Sequence, residues 1–170
     1  HFKEWKRIER EDEPPAVSLE VILRGVCDKG RLLDIAENFT LFSEIKSGVD
    51  KIVGQNHQFL GVNNAIAAVK KYQLASSPPG VEPKKAAERR RLGVFWHTQG
   101  SGKSFSMVFF SQKILRKIPG NWTFVILTDR DDLDHQIYKT FAACGAVNDE
   151  NVQARNGEHL KQLLTEDHRY

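Results

Sequence analysis

A glycine-bearing turn between an apolar run and a helical pattern carries the clearest chemical signal in this sequence. The stretch reads Gly93-Val94-Phe95-Trp96-His97-Thr98-Gln99-Gly100-Ser101-Gly102-Lys103-Ser104. Strand, turn and helix in this order form the setting of a phosphate-binding loop (P-loop), because amides of the turn and of the first helical turn point at one anion. Gly100 and Gly102 let the chain bend where a Cβ would block its path. Lys103 is expected to reach the β- and γ-phosphates of ATP, and the Ser104 hydroxyl to ligate Mg²⁺.

This stretch departs from the general P-loop pattern at one position. The full motif has a glycine five residues before Gly102, where this sequence has His97. An alternative interpretation is a polar turn that happens to contain two glycines and a lysine. The flanking apolar run and helical pattern favour nucleotide phosphate binding instead. The residues predicted to bind the nucleotide through this loop are Thr98, Gln99, Gly100, Ser101, Gly102, Lys103 and Ser104.

Hydrolysis of ATP would also need a carboxylate that holds Mg²⁺ and a group that orients the attacking water. Asp129 is a candidate, because it directly follows the apolar run 124–128. The competing interpretation places residues 129–132 at the start of the next helix, where acidic side chains interact favourably with the helix dipole. The second interpretation is preferred, so the metal-binding carboxylate is not expected within this chain.

Composition describes an ordinary globular chain. Its 170 residues suit one domain with a core, and 40% are hydrophobic while 28% are charged. A formal net charge of +3 supports nucleic-acid binding only weakly. Cys27 and Cys144 have no CxxC spacing, so reduced thiols are expected and a metal site is not. The sequence has no membrane-length apolar run and no signal-peptide pattern, which favours a cytoplasmic location. The start at His1 and the end at Tyr170 suggest a fragment of a larger polypeptide.

Hydrophobic periodicity predicts helices along most of the chain. They are expected at Leu19 to Gly25 behind a Ser18 cap, at Gly30 to Asn38, around Phe59 to Tyr72, after Ser104, from near Asp131, and after Asn156-Gly157. The residues expected to face inward in these helices are Val21, Ile22, Leu23, Leu32, Leu33, Ile35, Phe39, Phe59, Val62, Ile66, Val69, Tyr72, Leu133, Ile137, Thr140, Phe141, Leu160, Leu163 and Leu164. The helix after Ser104 has apolar residues on most of its sides and is expected to be buried between layers.

Strands are predicted at Leu92 to Trp96, at Trp122 to Thr128 and, shorter, at Val152 to Ala154. Strands alternating with helices imply an α/β fold with a parallel sheet flanked by helices, and a ligand at the carboxyl ends of the strands. Residues 74–91 are expected to form a mobile surface loop or a short, broken helix. Its cations, from Lys84 to Arg91, could meet DNA phosphates, although a solvated charged loop is the preferred interpretation.

Four groups of residues together resemble a known family. They are Arg31-Leu32-Leu33-Asp34-Ile35 with Phe39; Lys51-Ile52-Val53 with His57-Gln58, Val62 and Ala65; the run from Trp96 to Ser104 with Met107; and Leu127-Thr128-Asp129-Arg130 with Asp132-Leu133, Gln136 and Phe141. From about residue 19 onward the chain resembles the restriction (R) subunit of type I restriction-modification enzymes, at the start of its superfamily 2 helicase-type motor. That family carries histidine at the position of His97.

The resemblance implies roles that spacing alone does not. Gln58, which by itself reads as a solvated polar residue at the exposed start of a helix, would match the adenine-recognising glutamine of the family. Thr128, Asp129 and Arg130 would match a motif of the family that lies near the DNA backbone or supports the site, and Thr128 and Arg130 are the residues expected near DNA. The chain would comprise a helical connector from an upstream nuclease domain (1–49) and the first part of a RecA-like P-loop NTPase lobe (50–170). The expected partners are double-stranded DNA and the specificity and methyltransferase subunits.

The implied function is part of an ATP-dependent DNA translocase and endonuclease that uses ATP and Mg²⁺. The isolated fragment is expected to bind ATP weakly, if at all, and not to hydrolyse it. One alternative is a small P-loop kinase or phosphotransferase with Asp129 as the metal ligand. Another is a non-catalytic module that binds DNA through the cations of residues 84–91.

Overall fold

The computed structural model describes residues 4–45, 48–74, 92–147 and 152–166. In these ranges the helices are α1 (Leu19–Gly25), α2 (Lys29–Asn38), α3 (Asn56–Leu74), α4 (Lys103–Lys117), α5 (Asp131–Ala143) and α6 (Gly157–Thr165). Two strands, β1 (Thr40–Ile45) and β2 (Gly48–Val53), pair in one sheet. The described residues divide into two compact units, one within His1–Thr40 and Val53–Thr123 and the other within Leu41–Ile52 and Phe124–Tyr170. The predicted helices are confirmed, with boundaries close to those expected.

Local side-chain signals start and stop these helices as the sequence predicts. The Ser18 hydroxyl accepts a hydrogen bond from the Val21 amide at 3.2 Å, and Asn156 Oδ1 accepts one from the His159 amide at 2.8 Å. Such bonds satisfy amides that have no carbonyl partner at a helix start. Helix α4 ends just before Pro119, which lacks the amide needed to continue a helix.

The first unit is built around three phenylalanines from three helical regions. The Phe39 ring lies 4.8 Å from that of Phe59 and 5.4 Å from that of Phe109, measured between ring centres. Phe39 and Phe109 are completely buried. Helices α2 and α3 both pack on α4, the helix that follows the P-loop. Further buried apolar residues of this unit are Val62, Ile66, Val69, Val108, Ile114 and Ile118.

Several residues predicted to face inward are exposed instead. Ile22, Leu23, Leu32, Leu33, Tyr72, Leu133 and Leu164 all have more than a third of their surface open to solvent. In the pairs Ile22-Leu23 and Leu32-Leu33 both members are exposed, because each helix buries a narrow face that contains other residues, Val21 in α1 and Ile35 in α2. Helix α4 is different, because its residues 104–114 are all buried or half-buried and exposed side chains occur at its two ends. Its buried residues, which lie on most sides of the helix, are Ser106, Val108, Phe109, Ser111, Lys113 and Ile114. The predicted burial of α4 on most of its sides is confirmed.

The parallel sheet is not formed by the residues that the structure describes. The ranges 92–96, 122–128 and 152–154 contain no strand, and the side chains of Val94 and Leu127 are 94% and 93% exposed. A strand is held by hydrogen bonds to a neighbouring strand, which an apolar run alone does not supply. The sheet observed in the described ranges is the β1–β2 pair, which the sequence did not predict. Since two residues separate its strands, it is an antiparallel hairpin.

The second unit buries one face of each of its two helices. Ile137 and Phe141 of α5 and Leu163 of α6 are buried. Cys144, at the end of α5, is a buried free thiol. Burial raises the pKa of Cys144, and a hydrogen bond with Ser43 acts against that shift. A thiol held in its protonated form is a poor nucleophile. No helix in the described part of the chain has the length and apolar character needed to cross a membrane.

One ammonium group lies in the interior of the first unit. Lys113 Nζ is 2.5 and 2.6 Å from the two carboxylate oxygens of Asp34 and 2.6 Å from Asn63 Oδ1. It also lies 4.9 Å from the centre of the Phe39 ring. Burial lowers the pKa of Lys113, and hydrogen bonding to Asp34 opposes that effect. This single charge therefore joins α2, α3 and α4.

Replacing Asp34 with alanine should leave the buried Lys113 ammonium without its counter-charge and lower the free energy of unfolding by about 3–5 kcal/mol. Because the pKa of Lys113 is lowered in the folded state, the folded chain binds fewer protons than the unfolded chain in the alkaline range, and stability rises with pH there. That rise should be steeper in Asp34→Ala, since loss of the carboxylate lowers the pKa of Lys113 further. Urea unfolding at a series of alkaline pH values measures both effects.

The control for this experiment is Asp12→Ala, because Asp12 pairs with Arg10 at 2.9 Å on the surface. An exposed pair of this kind contributes about 0–1 kcal/mol. Equal losses of stability in Asp34→Ala and Asp12→Ala would contradict the proposed importance of the buried pair.

Candidate nucleotide-binding site

The bend of the predicted P-loop is present in the structure. Gly100 and Gly102 have φ angles of 75° and 76°, in the left-handed region that favours glycine. The Ser101 amide donates to the Thr98 carbonyl at 3.3 Å, which closes the turn. Gly102 is the cap of α4, and within the described ranges no side-chain hydrogen bond caps the first amides of the helix. Those amides and the partial positive charge at the helix start are suited to a phosphate group.

Lys103 lies on the solvent side of this bend. Its Nζ donates to the carbonyls of His97 and Thr98, both at 3.0 Å. An ammonium has three N–H donors, so these two bonds leave one for a phosphate oxygen. Lys103 and the residues Thr98 to Gly100 are exposed, and Ser104 is half-buried in the first turn of α4. The loop is therefore open to a ligand from solvent.

The chemistry of the loop fits a polyphosphate with its metal ion. Left-handed glycines, amides at the start of a helix and one ammonium all favour an anion. The Ser104 hydroxyl is a hard oxygen ligand of the kind that Mg²⁺ prefers. The Ser101 hydroxyl is buried, and its oxygen has no hydrogen-bond partner among the residues that the structure describes. A buried polar atom left unpaired is uncommon and marks a possible site of function.

Gln58 contacts the P-loop directly. Its Nε2 donates to the Gly102 carbonyl at 2.9 Å, and its Oε1 accepts from the Gln55 amide at 2.9 Å. The side chain is buried, with 3% of its surface exposed. The reading of Gln58 as a solvated residue at an exposed helix start is therefore wrong. Long-range packing of α3 against α4 buries it, which its neighbours in sequence do not reveal.

Two histidines also contact the loop. His57 Nε2 lies 3.0 Å from the Ser101 carbonyl oxygen. The His97 ring packs edge-on against those of His57 and Phe95, with ring centres 4.7 and 4.5 Å apart. His97 Nε2 is 3.2 Å from Glu11 Oε1. Sequence reasoning missed Glu11, since it lies 86 residues before His97 and belongs to no motif.

Thr128, Asp129 and Arg130 belong to the second unit. Arg130 is the cap residue of α5, and Asp131, Asp132 and Asp134 lie in its first turn. The Arg130 guanidinium bonds to both carboxylate oxygens of Asp132, at 3.1 and 2.5 Å. The acidic cluster therefore occupies a helix start, as the preferred interpretation predicts for residues 129–132. The cations from Lys84 to Arg91 lie outside the described residues.

Comparison with known proteins assigns the chain to a class. Residues 57–170 match the model of a family described as SWI2/SNF2 ATPase. This range is about two thirds of the chain and includes the whole P-loop, so the chain belongs to the SWI2/SNF2 ATPase family. The P-loop kinase alternative loses support, because this family is one of ATPases.

Within that class the chain is similar to endonuclease subunits of type I restriction enzymes. It is 34% identical over 172 residues to the HindI endonuclease subunit of Haemophilus influenzae. It is 32% identical over 151 residues to a protein of Methanocaldococcus jannaschii named as the MjaIXP endonuclease subunit. These matches cover 97% and 88% of this chain but only 15% and 13% of the two relatives. No solved structure matches. The resemblance read from the motifs is confirmed.

Two glycine substitutions separate the effect of backbone conformation from that of space. A Cβ at Gly100 would meet no atom within 4 Å, whereas a Cβ at Gly102 would lie 2.9 Å from Gln58 Nε2. Gly100→Ala should therefore lower the free energy of unfolding by about 1–2 kcal/mol, the cost of a left-handed alanine. Gly102→Ala should cost roughly 1–2 kcal/mol more, because the Gln58 amide must move and lose its bond. Urea unfolding followed by circular dichroism measures both, and equal losses would contradict the role of Gln58.

Proposed function

We propose that this chain is the ATP-binding part of the motor in a type I restriction endonuclease subunit. The observation that carries the proposal is the bend of the P-loop. It contains two left-handed glycines, and the Lys103 ammonium bonds to its His97 and Thr98 carbonyls. A turn of this form at a helix start is suited to the β- and γ-phosphates of a nucleotide. Membership of an ATPase family supports ATP as that nucleotide.

In this proposal some groups of the loop bind the phosphates and another binds the metal. Backbone amides from Thr98 through Ser104 would surround the phosphates, and Lys103 would contact the transferred phosphoryl group with its third N–H. The Ser104 hydroxyl would ligate Mg²⁺. When bound, the metal would supply a positive charge that offsets the charge of the phosphates. Each protein group acts by position and charge, because phosphoryl transfer leaves little covalent chemistry to the protein.

Gln58 would recognise adenine while it holds the loop. A side-chain amide has two N–H donors and an oxygen with two lone pairs. The bonds to Gly102 and Gln55 use one donor and one lone pair. The remaining donor and acceptor match a pattern that the edge of adenine presents, one acceptor beside one amino donor. The Gln58 side chain would then both recognise the base and hold the loop in position.

The whole protein is proposed to move double-stranded DNA and to cut it, in a complex with specificity and methyltransferase subunits. Support comes from the names of the relatives, which are endonuclease subunits of type I restriction enzymes. This chain spans only 15% and 13% of their lengths. The carboxylate that holds Mg²⁺ and the group that orients water are proposed to come from elsewhere in the polypeptide, since Asp129 and its neighbours surround the start of α5. The chain alone should therefore not hydrolyse ATP.

Replacing Lys103 with alanine tests nucleotide binding. In the full-length subunit, Lys103→Ala should reduce DNA-stimulated, Mg²⁺-dependent ATP hydrolysis by about 100-fold or more, because it removes a cation from the transferred phosphoryl group. Lys117→Ala is the matched control, since it removes the same charge from the far end of α4, where Lys117 pairs with Glu37 at 2.6 Å. Hydrolysis that survives Lys103→Ala at the level of the control would refute the proposal.

Arg130→Ala tests proximity to DNA. If Arg130 contacts a phosphate, its loss should weaken DNA binding by the full-length subunit and reduce the slope of log K against log salt by about 1. Lys139→Ala is the control, because Lys139 is an exposed cation on the same helix. Filter binding over a salt series measures both slopes. The same slope for Arg130→Ala and Lys139→Ala would place Arg130 away from the DNA.

A further inference from the structure

A loop near the start of the chain, residues 5–16, is folded into a defined shape by its own hydrogen bonds. The Ala16 amide donates to the Lys6 carbonyl at 2.9 Å. The Glu13 carboxylate accepts from the Ile8 amide at 2.9 Å and from the next two amides at 3.2 Å each. These bonds, the one from Ile8 above all, lower the pKa of Glu13. We call these residues the N-terminal loop.

The N-terminal loop is attached to α3, the helix that carries Gln58. Asn56 is buried, and its Oδ1 accepts from the amides of Lys6 and Arg7 at 3.2 and 2.9 Å. Its Nδ2 donates to the Arg7 carbonyl at 2.8 Å. The Trp5 ring packs on Phe59, with ring centres 5.4 Å apart. The position of the loop is therefore set by the same core that supports the P-loop.

Glu11 extends from this loop to the P-loop. One carboxylate oxygen lies 3.2 Å from His97 Nε2, and the other accepts from Asn64 Nδ2 of α3 at 3.3 Å. An ionised carboxylate only accepts hydrogen bonds, so His97 Nε2 carries the proton of this contact. Gly61 of α3 leaves room for the arrangement, because a Cβ there would lie 2.6 Å from the Phe95 ring and 3.2 Å from Glu11 Oε1.

Glu11 is the hydrogen-bond partner of the His97 ring at Nε2. The His97 side chain is only 9% exposed, and its buried Nδ1 has no partner in the described part of the chain. If Glu11 were lost, Nε2 would lose its protein partner while Nδ1 stayed buried and unpaired among the described residues, which is costly. The ring would then turn towards water, and the backbone of His97 would move with it. That backbone matters, because the His97 carbonyl accepts from Lys103 Nζ at 3.0 Å.

We propose that Glu11 is a positioning residue for the P-loop. Glu11 acts through His97 and so holds the ammonium of Lys103 in place. His97 stands where the general P-loop pattern has a glycine, and a glycine has no side chain through which another segment could hold the loop. The N-terminal loop is thus part of the nucleotide site although it contains none of the motif residues. This inference rests on the proposed nucleotide binding for its effect on affinity, but its structural part is independent of any nucleotide.

The first test measures the structural part in this chain without nucleotide. Nitrogen-15 spectra of the histidine rings should show His97 with a protonated Nε2, and Glu11→Ala should shift those ring signals together with the backbone amide signals of residues 98–103. Glu11→Gln should largely restore both, because its Oε1 still accepts from Nε2–H and the Asn64 amide can turn to offer its oxygen. Glu9→Ala, on the same loop, is the control. Unchanged His97 and P-loop signals in Glu11→Ala would overturn the proposal.

The second test measures the effect on function in the full-length subunit. Glu11→Ala should raise the Kd for a non-hydrolysable ATP analogue with Mg²⁺, and the KM for ATP, by about 10-fold, while Glu11→Gln stays within about 2-fold of the unchanged protein. Lys103→Ala serves as the reference. If Lys103→Ala weakens binding and Glu11→Ala behaves like Glu9→Ala, Glu11 does not position the loop. If Lys103→Ala itself has no effect, the proposed nucleotide site fails, and the spectra alone decide whether Glu11 positions the loop.

Discussion

The candidate site depends on the hydrogen bond between the Gln58 side-chain amide and the Gly102 carbonyl. Gly102 turns through a left-handed conformation at the start of α4, and a buried amide from α3 fixes the direction of its carbonyl. A buried N–H donor loses free energy if its acceptor is missing, because no water molecule can take the place of that acceptor. Since α3 packs on α4, loop and helix core are positioned together. In the described structure, helices support the P-loop where a parallel sheet was expected.

Polar groups in the interior of the first unit are mostly paired, and this makes the exceptions informative. Lys113 is matched by Asp34 and Asn63, and Asn56 uses both ends of its amide. Five buried side-chain atoms have no partner among the described residues, and two of them, His97 Nδ1 and Ser101 Oγ, belong to the P-loop. Unpaired buried atoms weaken a fold unless something else uses them. The other three, Trp5 Nε1, Asn38 Oδ1 and Gln112 Oε1, lie outside the loop, so unpaired buried atoms are not confined to the candidate site.

Much of the local structure follows from the sequence, because the forces that determine it act over a few residues. Caps such as Ser18 and Asn156 and the stop at Pro119 locate helix ends. The glycines of the P-loop specify its bend, since they are the residues that accept the left-handed conformation at low cost. The run from Trp96 to Ser104 also led to the family that the comparisons confirm.

The strand predictions and part of the core needed information that local patterns lack. An apolar run such as 122–128 forms a strand only where a second strand offers hydrogen bonds, and the described residues provide none there. Neither Leu32 nor Leu33 is buried, because burial in α2 depends on which elements pack against the helix. Periodicity shows which faces could be buried, but it does not show how wide the contact will be.

Residue types at short, regular spacing are enough to predict the helices, the P-loop and the family. The burial of Gln58 against Gly102 and the contact of Glu11 with His97 depend on packing, because they join residues 44 and 86 positions apart. Helix α3 packs on α4 and holds the N-terminal loop, which brings these distant polar groups together. Since an unpaired buried polar group is costly, the groups that meet there form hydrogen bonds.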